Sequence, residues 1–351
     1  MNTSYVNLTD DHKKALEISS RSENSYGELR HHWGREPFPL IVNPDTPNTD
    51  LMTGFPRIRE LVANHLFQCG AVLFRGFRVT KVEEFKEFAN AFAFPLLGYE
   101  FGSTPRSRLS EGIYTSTEYP SHQSIPLHNE QAYTCEWPMK IWFHCVTAAI
   151  EGGATPIADS REIYHRIDPL IRKRFAEKGL MYLRNFGNGL DLPWSRVFNT
   201  EDRGEVEHYC RNHRIVCEWK DDGELRTRQI CQAIARHPVT GEWVWFNQAH
   251  LFHVSALDSE IRESLLSFLD EDDLPRNVCY GDGTPIEDAE LNEIRSVMDG
   301  LQLPIYWQSG DILMLDNMLT AHGRTPFKGS RKVVVAMAEP YRVASPTIQD
   351  L

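Results

Sequence analysis

A chain of 351 residues, 41% of them hydrophobic and 25% charged, carries enough apolar material for a sizeable core without covalent staples. At about 150 residues per domain its length fits two domains or one large β fold with insertions. Its 37 basic and 49 acidic residues leave a net charge of −12, which argues against nucleic acid or an anionic membrane as partner unless a local basic patch exists.

The seven cysteines form no Cys-x-x-Cys pair and leave an odd one over, so neither a zinc cage nor a disulfide framework fits, and reduced thiols in a cytoplasmic protein are expected. The N-terminal stretch lacks the apolar core of a signal peptide. The longest strongly apolar run, residues 333–338, falls far short of the roughly 20 residues that span a bilayer. A soluble chain is expected.

Residues 1–35 are polar and unpatterned and read as a loose N-terminal arm, and residues 342–351 as a similar tail. Between them, 36–341 shows no linker, repeat or composition shift, and reads as one domain. Residues 70–77 form an apolar run bounded by glycines, a buried strand. Thr80-Lys-Val-Glu83 has the pattern of a capping box, opening a helix with Val82, Phe85, Phe88, Ala89 and Phe92 on one face. Residues 140–149 read as a strand ending before Gly152-Gly153. Ser160 and Asp168-Pro169 then read as two helix starts.

Further along, Trp243 to Asn247 is strand-like after the turn signal at 238–241. Asp258 caps a predicted helix whose buried face uses Ile261, Leu265, Phe268 and Leu269. Another helix is predicted over 288–298, stopped by Gly300, with strands at 312–315 and 332–338. Short strands dominate and helices fall in the first quarter and in insertions. That pattern favours a mainly β, α+β fold, a barrel or sandwich decorated by helices, over a doubly wound sheet.

One histidine has a carboxylate two positions on: His128-Asn-Glu130. On a strand such residues point to one face and offer two ligands to one metal. With 14 His and 49 acidic residues in 351 positions, chance produces about two such pairs, so the pair alone carries no weight. Its context does. His322, after the strand at 312–315, supplies the third member of a two-His, one-carboxylate facial triad, the set that leaves positions open on a non-heme Fe(II). Arg331, nine residues later at a strand entrance, suits bidentate capture of a carboxylate, and Thr155, after Gly152-Gly153, adds a hydroxyl donor.

The order His-x-Asp/Glu, Gly-Gly-x-Thr, then a distant His followed by Gly-x-Arg, resembles the TauD/TfdA family of Fe(II)/2-oxoglutarate dioxygenases, over about residues 70–340. The segments Ile125-Pro-Leu-His-Asn-Glu-Gln131, Trp137-Pro138, residues 152–161 and Leu192-Pro-Trp194 are most similar to the SyrP-like aminoacyl hydroxylase branch.

The resemblance implies a double-stranded β-helix, or jelly-roll, core. It implies His128, Glu130 and His322 as iron ligands, and Thr155 and Arg331 as contacts to the distal carboxylate of 2-oxoglutarate. With O2 as second co-substrate, the reaction it implies is hydroxylation of an unactivated C–H bond, at the β-carbon of an amino acid or of an aminoacyl group on an acidic peptidyl carrier protein, in nonribosomal peptide metabolism. Desaturation by the same machinery, a catalytically silent barrel with a binding role, or a metal used as a Lewis acid in hydrolysis stays open beside it. Glu130 stands where many members have Asp. Val335 occupies the position that binds sulfonate in the taurine enzyme, which speaks against taurine-like substrates.

Several neighbours attract competing readings. Arg106, Ser124, Gln131 and Trp194 are candidate substrate contacts. His250 and His253 read as packing residues, the alternatives being a metal pair at i and i+3 or the pocket edge. Asn317 and Arg324 read as structural residues of the His322 loop, with a cofactor contact as the alternative. The cluster Arg166, Arg172, Lys173, Arg174 and Lys178 reads as a solvated helix face, the alternative being a docking patch for an acidic carrier.

Overall fold

Alternation along the central strands decides how the layers stack. In the computed structural model, which describes residues 5–8, 38–98, 106–187, 189–221 and 223–343, Ala71–Phe74, Ile312–Asp316, Glu136–Thr147 and Lys332–Arg342 lie side by side in one eight-stranded sheet. Leu73, Leu313, Leu315, Val333, Val335 and Met337 bury one face of it against Ile157 and Ile305 of a second sheet. Their neighbours Val72, Phe74, Ile312, Met314, Val334 and Ala336 bury the other face against Ile58, Leu61, Phe85 and Phe88 of the helices Phe55–Cys69 and Val82–Ala91. Both faces are covered, which is why these strands read as continuous apolar runs.

The second sheet has the order Leu303–Ile305, Thr155–Asp159, Thr320–Arg324, Ile125–His128, all antiparallel. Two facing sheets of mostly antiparallel strands, sheathed by helices, make the α+β jelly-roll architecture. The stretch between Ser160 and Leu301 adds a third, four-stranded sheet, Val216–Trp219, Leu225–Cys231, Leu180–Phe186 and Arg276–Tyr280. It closes over a core that includes Phe175, Tyr182, Phe186, Trp245 and Leu291.

Several boundaries differ from the sequence expectation. The helix after Phe77 starts one residue later than the Thr80 frame, because Glu84 rather than Glu83 accepts the N–H groups of Thr80 and Lys81. Asp159, not Ser160, caps the next helix, its carboxylate accepting from the Arg161 N–H. The helix expected to stop at Gly300 runs Asp288–Leu301, since a glycine in the last turn costs only about 1 kcal/mol. The helix after Asp258 forms over Ser259–Leu266 but buries none of its residues, with Ile261 50% and Phe268 69% exposed. An Arg262–Asp288 ion pair and the buried Val254 just upstream hold it in place instead.

The last strand extends to Arg342, where the tail was expected to begin. Tyr341 packs on Trp137 and Arg342 pairs with Glu136 at 2.6 Å. Within the expected N-terminal arm, Tyr5–Leu8 forms a parallel edge strand beside Leu40–Pro44, and most of the remainder lies outside the described residues.

Candidate metal centre

The antiparallel pairing of Thr320–Arg324 with Ile125–His128 sets His322 directly opposite His128. Opposed residues on paired strands point the same way, so the two rings stand 4.6 Å apart between centroids. Glu130 lies two residues beyond His128, and its carboxylate oxygen Oε2 is 4.0 Å from His322 Nε2. Ligand atoms of all three side chains lie within 4.8 Å of one another, the one such His/Cys/Asp/Glu cluster among the described residues. Three residues separated by almost 200 positions thus meet through strand register.

The donor set fits a divalent ion. His128 Nδ1 sits 2.9 Å from the Pro126 carbonyl; as a donor there it leaves Nε2 as a lone pair facing the cluster. Burial holds the His322 imidazole well below the usual histidine range, with His128 and Arg106 nearby adding to the effect, so the ring is in the neutral, metal-binding form. Burial likewise lowers His128. Among the described residues His322 Nδ1 is buried with no hydrogen-bond partner, and the ring lies 5.0 Å from that of Phe143.

The backbone beneath the cluster is held from several sides. Asn317 accepts from the Glu130 N–H at 2.8 Å and donates to the Glu130 and Pro138 carbonyls at 2.9 and 2.8 Å. Gln248 donates to the Asn129 carbonyl at 2.7 Å, and His250 Nε2 lies 2.8 Å from the Leu127 carbonyl. Asn129 in turn donates to the Asn317 carbonyl and Ser160. His250 therefore braces the strand that carries His128 through the Leu127 carbonyl, and Asn317 has the structural role the sequence assigned to it. Arg324, also structural, donates to the carbonyls of Tyr119, Pro120 and Gln123, fixing the loop before Ile125. Gln248 was not singled out by sequence, because one buried amide in an aromatic-rich loop follows no pattern.

Among the substrate candidates, Arg106 comes closest. Its Nη2 is 2.6 Å from Glu130 Oε2, with both side chains almost fully buried. Gln131, in the left-handed region at φ 56°, lines a cavity of about 190 Å³ together with Thr134, Cys135, Tyr209 and His213. Ser124 is exposed at the entrance to the strand. Trp194 packs edge-on against Trp219, 5.2 Å between centroids, in the inserted layer.

Thr155 follows the Gly152-Gly153 turn, and Arg331 reaches the same turn from the neighbouring hairpin. Thr155 Oγ1 accepts from Trp307 Nε1 at 3.0 Å. Arg331 Nε donates to the Gly153 carbonyl at 3.0 Å, and its guanidinium lies over Phe327. Burial, with Arg324 nearby, lowers the Arg331 guanidinium to about 10, still cationic at neutral pH. Both glycines have positive φ, and a Cβ at Gly152 would meet the Pro326 carbonyl oxygen at 2.2 Å. The paired glycines thus let this turn approach the hairpin that delivers Arg331.

Members of the basic cluster have partners within the chain. Arg172 donates to the Tyr164 carbonyl, Lys173 pairs with Glu177, Arg174 with Glu290, and Lys178 with Asp282.

With two facing sheets around a His-Glu-His cluster, the class is that of a non-heme iron oxygenase. Residues 26–337 match the family described as taurine catabolism dioxygenase TauD, TfdA, and the chain belongs to that family. It is 44% identical over 310 residues to the dapdiamide synthesis protein DdaC of Enterobacter agglomerans, covering 86% of this chain and 94% of that one. It is 28% identical over 326 residues to a clavaminate synthase-like protein of Arabidopsis thaliana, covering 88% and 96%. A similar solved structure is that of PvcB, an Fe, alpha-ketoglutarate dependent oxygenase from an isonitrile synthetic pathway, at 15% identity and TM-score 0.49, covering 86% and 87%. The protein is a dioxygenase that uses Fe(II), with 2-oxoglutarate and O2 as co-substrates. Among the described residues no helix is long and apolar enough to cross a membrane.

Proposed function

We propose that the enzyme hydroxylates an unactivated C–H bond, at the β-carbon, of an amino acid or a carrier-bound aminoacyl group in the making of a secondary metabolite. His128, Glu130 and His322 hold the iron, and Thr155 and Arg331 hold the distal carboxylate of 2-oxoglutarate. The observation that carries the site is the register that opposes His322 to His128 with Glu130 beside them. The substrate class is supported by the SyrP-like segments and by a relative whose name places it in dapdiamide synthesis.

When bound, Fe(II) with 2-oxoglutarate supplies the oxygen activation and C–H cleavage. The chain's own residues supply order. The Pro126 carbonyl fixes the His128 tautomer, and Asn317 fixes the Glu130 backbone. Because Trp307 N–H occupies a lone pair of Thr155, the Thr155 hydroxyl proton is left to donate to a carboxylate. Because Arg331 Nε is committed to Gly153, its Nη groups remain for a charge-assisted pair with the same carboxylate. Arg106 balances the Glu130 charge in a nearly dry site.

The test is incubation with Fe(II), 2-oxoglutarate, O2 and a panel of amino acids, free and loaded on a peptidyl carrier protein. Mass spectrometry should show a gain of one oxygen, matched by succinate. No gain across both panels would refute the substrate class. Succinate formation that survives in both His128→Ala and His322→Ala would refute the site.

A further inference from the structure

All seven cysteines are free thiols, and two of them meet where the inserted sheet joins the main fold. Cys135 lies in the turn that leads from Glu130 to the strand Glu136–Thr147, and Cys231 ends the strand Leu225–Cys231. Their sulfurs are 3.9 Å apart. The two segments interlock around them. Cys231 Sγ is 3.4 Å from the Tyr133 carbonyl and Cys135 Sγ 3.4 Å from the Ile230 carbonyl. Gln232 donates to the Ala132 and Thr134 carbonyls at 3.0 and 3.1 Å. Cys135 also lines the cavity of about 190 Å³, whereas Cys231 sits behind it with 1% exposure. A small oxidant entering the cavity therefore meets Cys135 first.

We propose that Cys135 and Cys231 form an oxidisable dithiol, which a hydroperoxide converts to a disulfide tying the inserted sheet to the segment that carries Glu130. The Cys135 thiolate attacks one peroxide oxygen; the O–O bond breaks, leaving Cys135 sulfenic acid and hydroxide, which takes up the thiol's proton to become water. The Cys231 sulfur then attacks the Cys135 sulfur, the S–O bond breaks, and a second water leaves with the Cys231 proton. Two thiols thus give up two electrons to one hydrogen peroxide, yielding one disulfide and two waters. A bond of about 2.05 Å requires the sulfurs to close from van der Waals contact.

The surroundings set the order of attack. The hydrogen bond with Cys231, aided by Arg214 and Arg342, lowers the Cys135 thiol, while burial pushes Cys231 well above the usual range. Cys210, near Cys217, is pushed up to about 12, chiefly by burial, and is a poorer nucleophile.

The full-length chain, washed with chelator so that no iron diverts the peroxide, is treated with one equivalent of hydrogen peroxide, alkylated, digested and mapped by mass spectrometry. The expected product is a Cys135–Cys231 cross-linked peptide and a loss of two alkylatable thiols, both reversed by dithiothreitol. In Cys231→Ala, Cys135 should stop at a sulfenic acid that dimedone traps. Cys135 and Cys231 both remaining alkylatable after the peroxide is consumed would overturn the proposal, as would a Cys210–Cys217 link formed in their place. The wild-type mapping decides the matter even if a variant fails to fold.

Discussion

Asn317 touches no proposed ligand atom, yet it braces the backbone of Glu130 on both its N–H and its carbonyl, and it is fully buried. Asn317→Ala removes three hydrogen bonds and strands a buried N–H, so it should cost about 2–4 kcal/mol of stability, measurable by urea unfolding. Arg331 works differently. A lysine there keeps the charge but loses the fork, and the Nε–Gly153 bond with it. Arg331→Lys should raise the KM for 2-oxoglutarate by about tenfold or more, since hydrogen bonds to charged groups contribute about 1.5–3 kcal/mol, and the lost Gly153 bond should lower the melting temperature by a few degrees. An unchanged KM would place the co-substrate's carboxylate elsewhere.

Two helices with similar sequence periodicity behave oppositely. Val82–Ala91 presses Phe85 and Phe88 into the helix-covered face of the large sheet, both fully buried, so Phe88→Ala should cost about 3–5 kcal/mol. Ser259–Leu266 buries nothing, and Phe268→Ser just beyond it should change stability by less than about 0.5 kcal/mol in the same unfolding assay. Periodicity states that a helix has an apolar stripe; it does not state whether another layer arrives to cover it. The elements that build the site were more legible. The strands at 312–315 and 332–338 announce themselves by apolar runs, and His128, Glu130 and His322 by residue type and order. Gln248, and Arg106 as the partner of Glu130, were not legible in these roles, because each acts across a fold contact that has no sequence period.

Near the same unburied helix, His253 reports on acid stability. Burial lowers its imidazole to about 4, with Arg295 and Arg262 working in the same direction and Asp288 opposing, while Ser255 donates its N–H to Nδ1. As pH falls, the unfolded chain takes up the proton first, at about 6.5. Stability from the neutral ring is therefore complete above that pH and is lost as pH drops through 4. Melting temperature should fall over this window, and His253→Asn should flatten part of the slope; parallel curves for the two proteins would sink the assignment.

At the scale of the whole molecule, the proposed ligands bring together two segments that lie far apart in the chain, the strand that ends at His128 with Glu130 in the turn just beyond it, and the strand that carries His322. An ion that binds the folded register and has weak affinity for the open chain stabilises the entire fold by mass action, about 2.7 kcal/mol when its free concentration is 100 times Kd. For a chain longer than about 250 residues, each kcal/mol moves the midpoint by about 2–4 °C or less. Anaerobic Fe(II), or Mn(II) as an inert substitute, should therefore raise the melting temperature by several degrees, and chelator should reverse the shift. His322→Ala should abolish that response. Since the readout is unfolding rather than turnover, it separates loss of metal binding from loss of substrate. A full metal-induced shift in the His322→Ala protein would mean that the ion is held without this strand, and the proposed centre would fail with it.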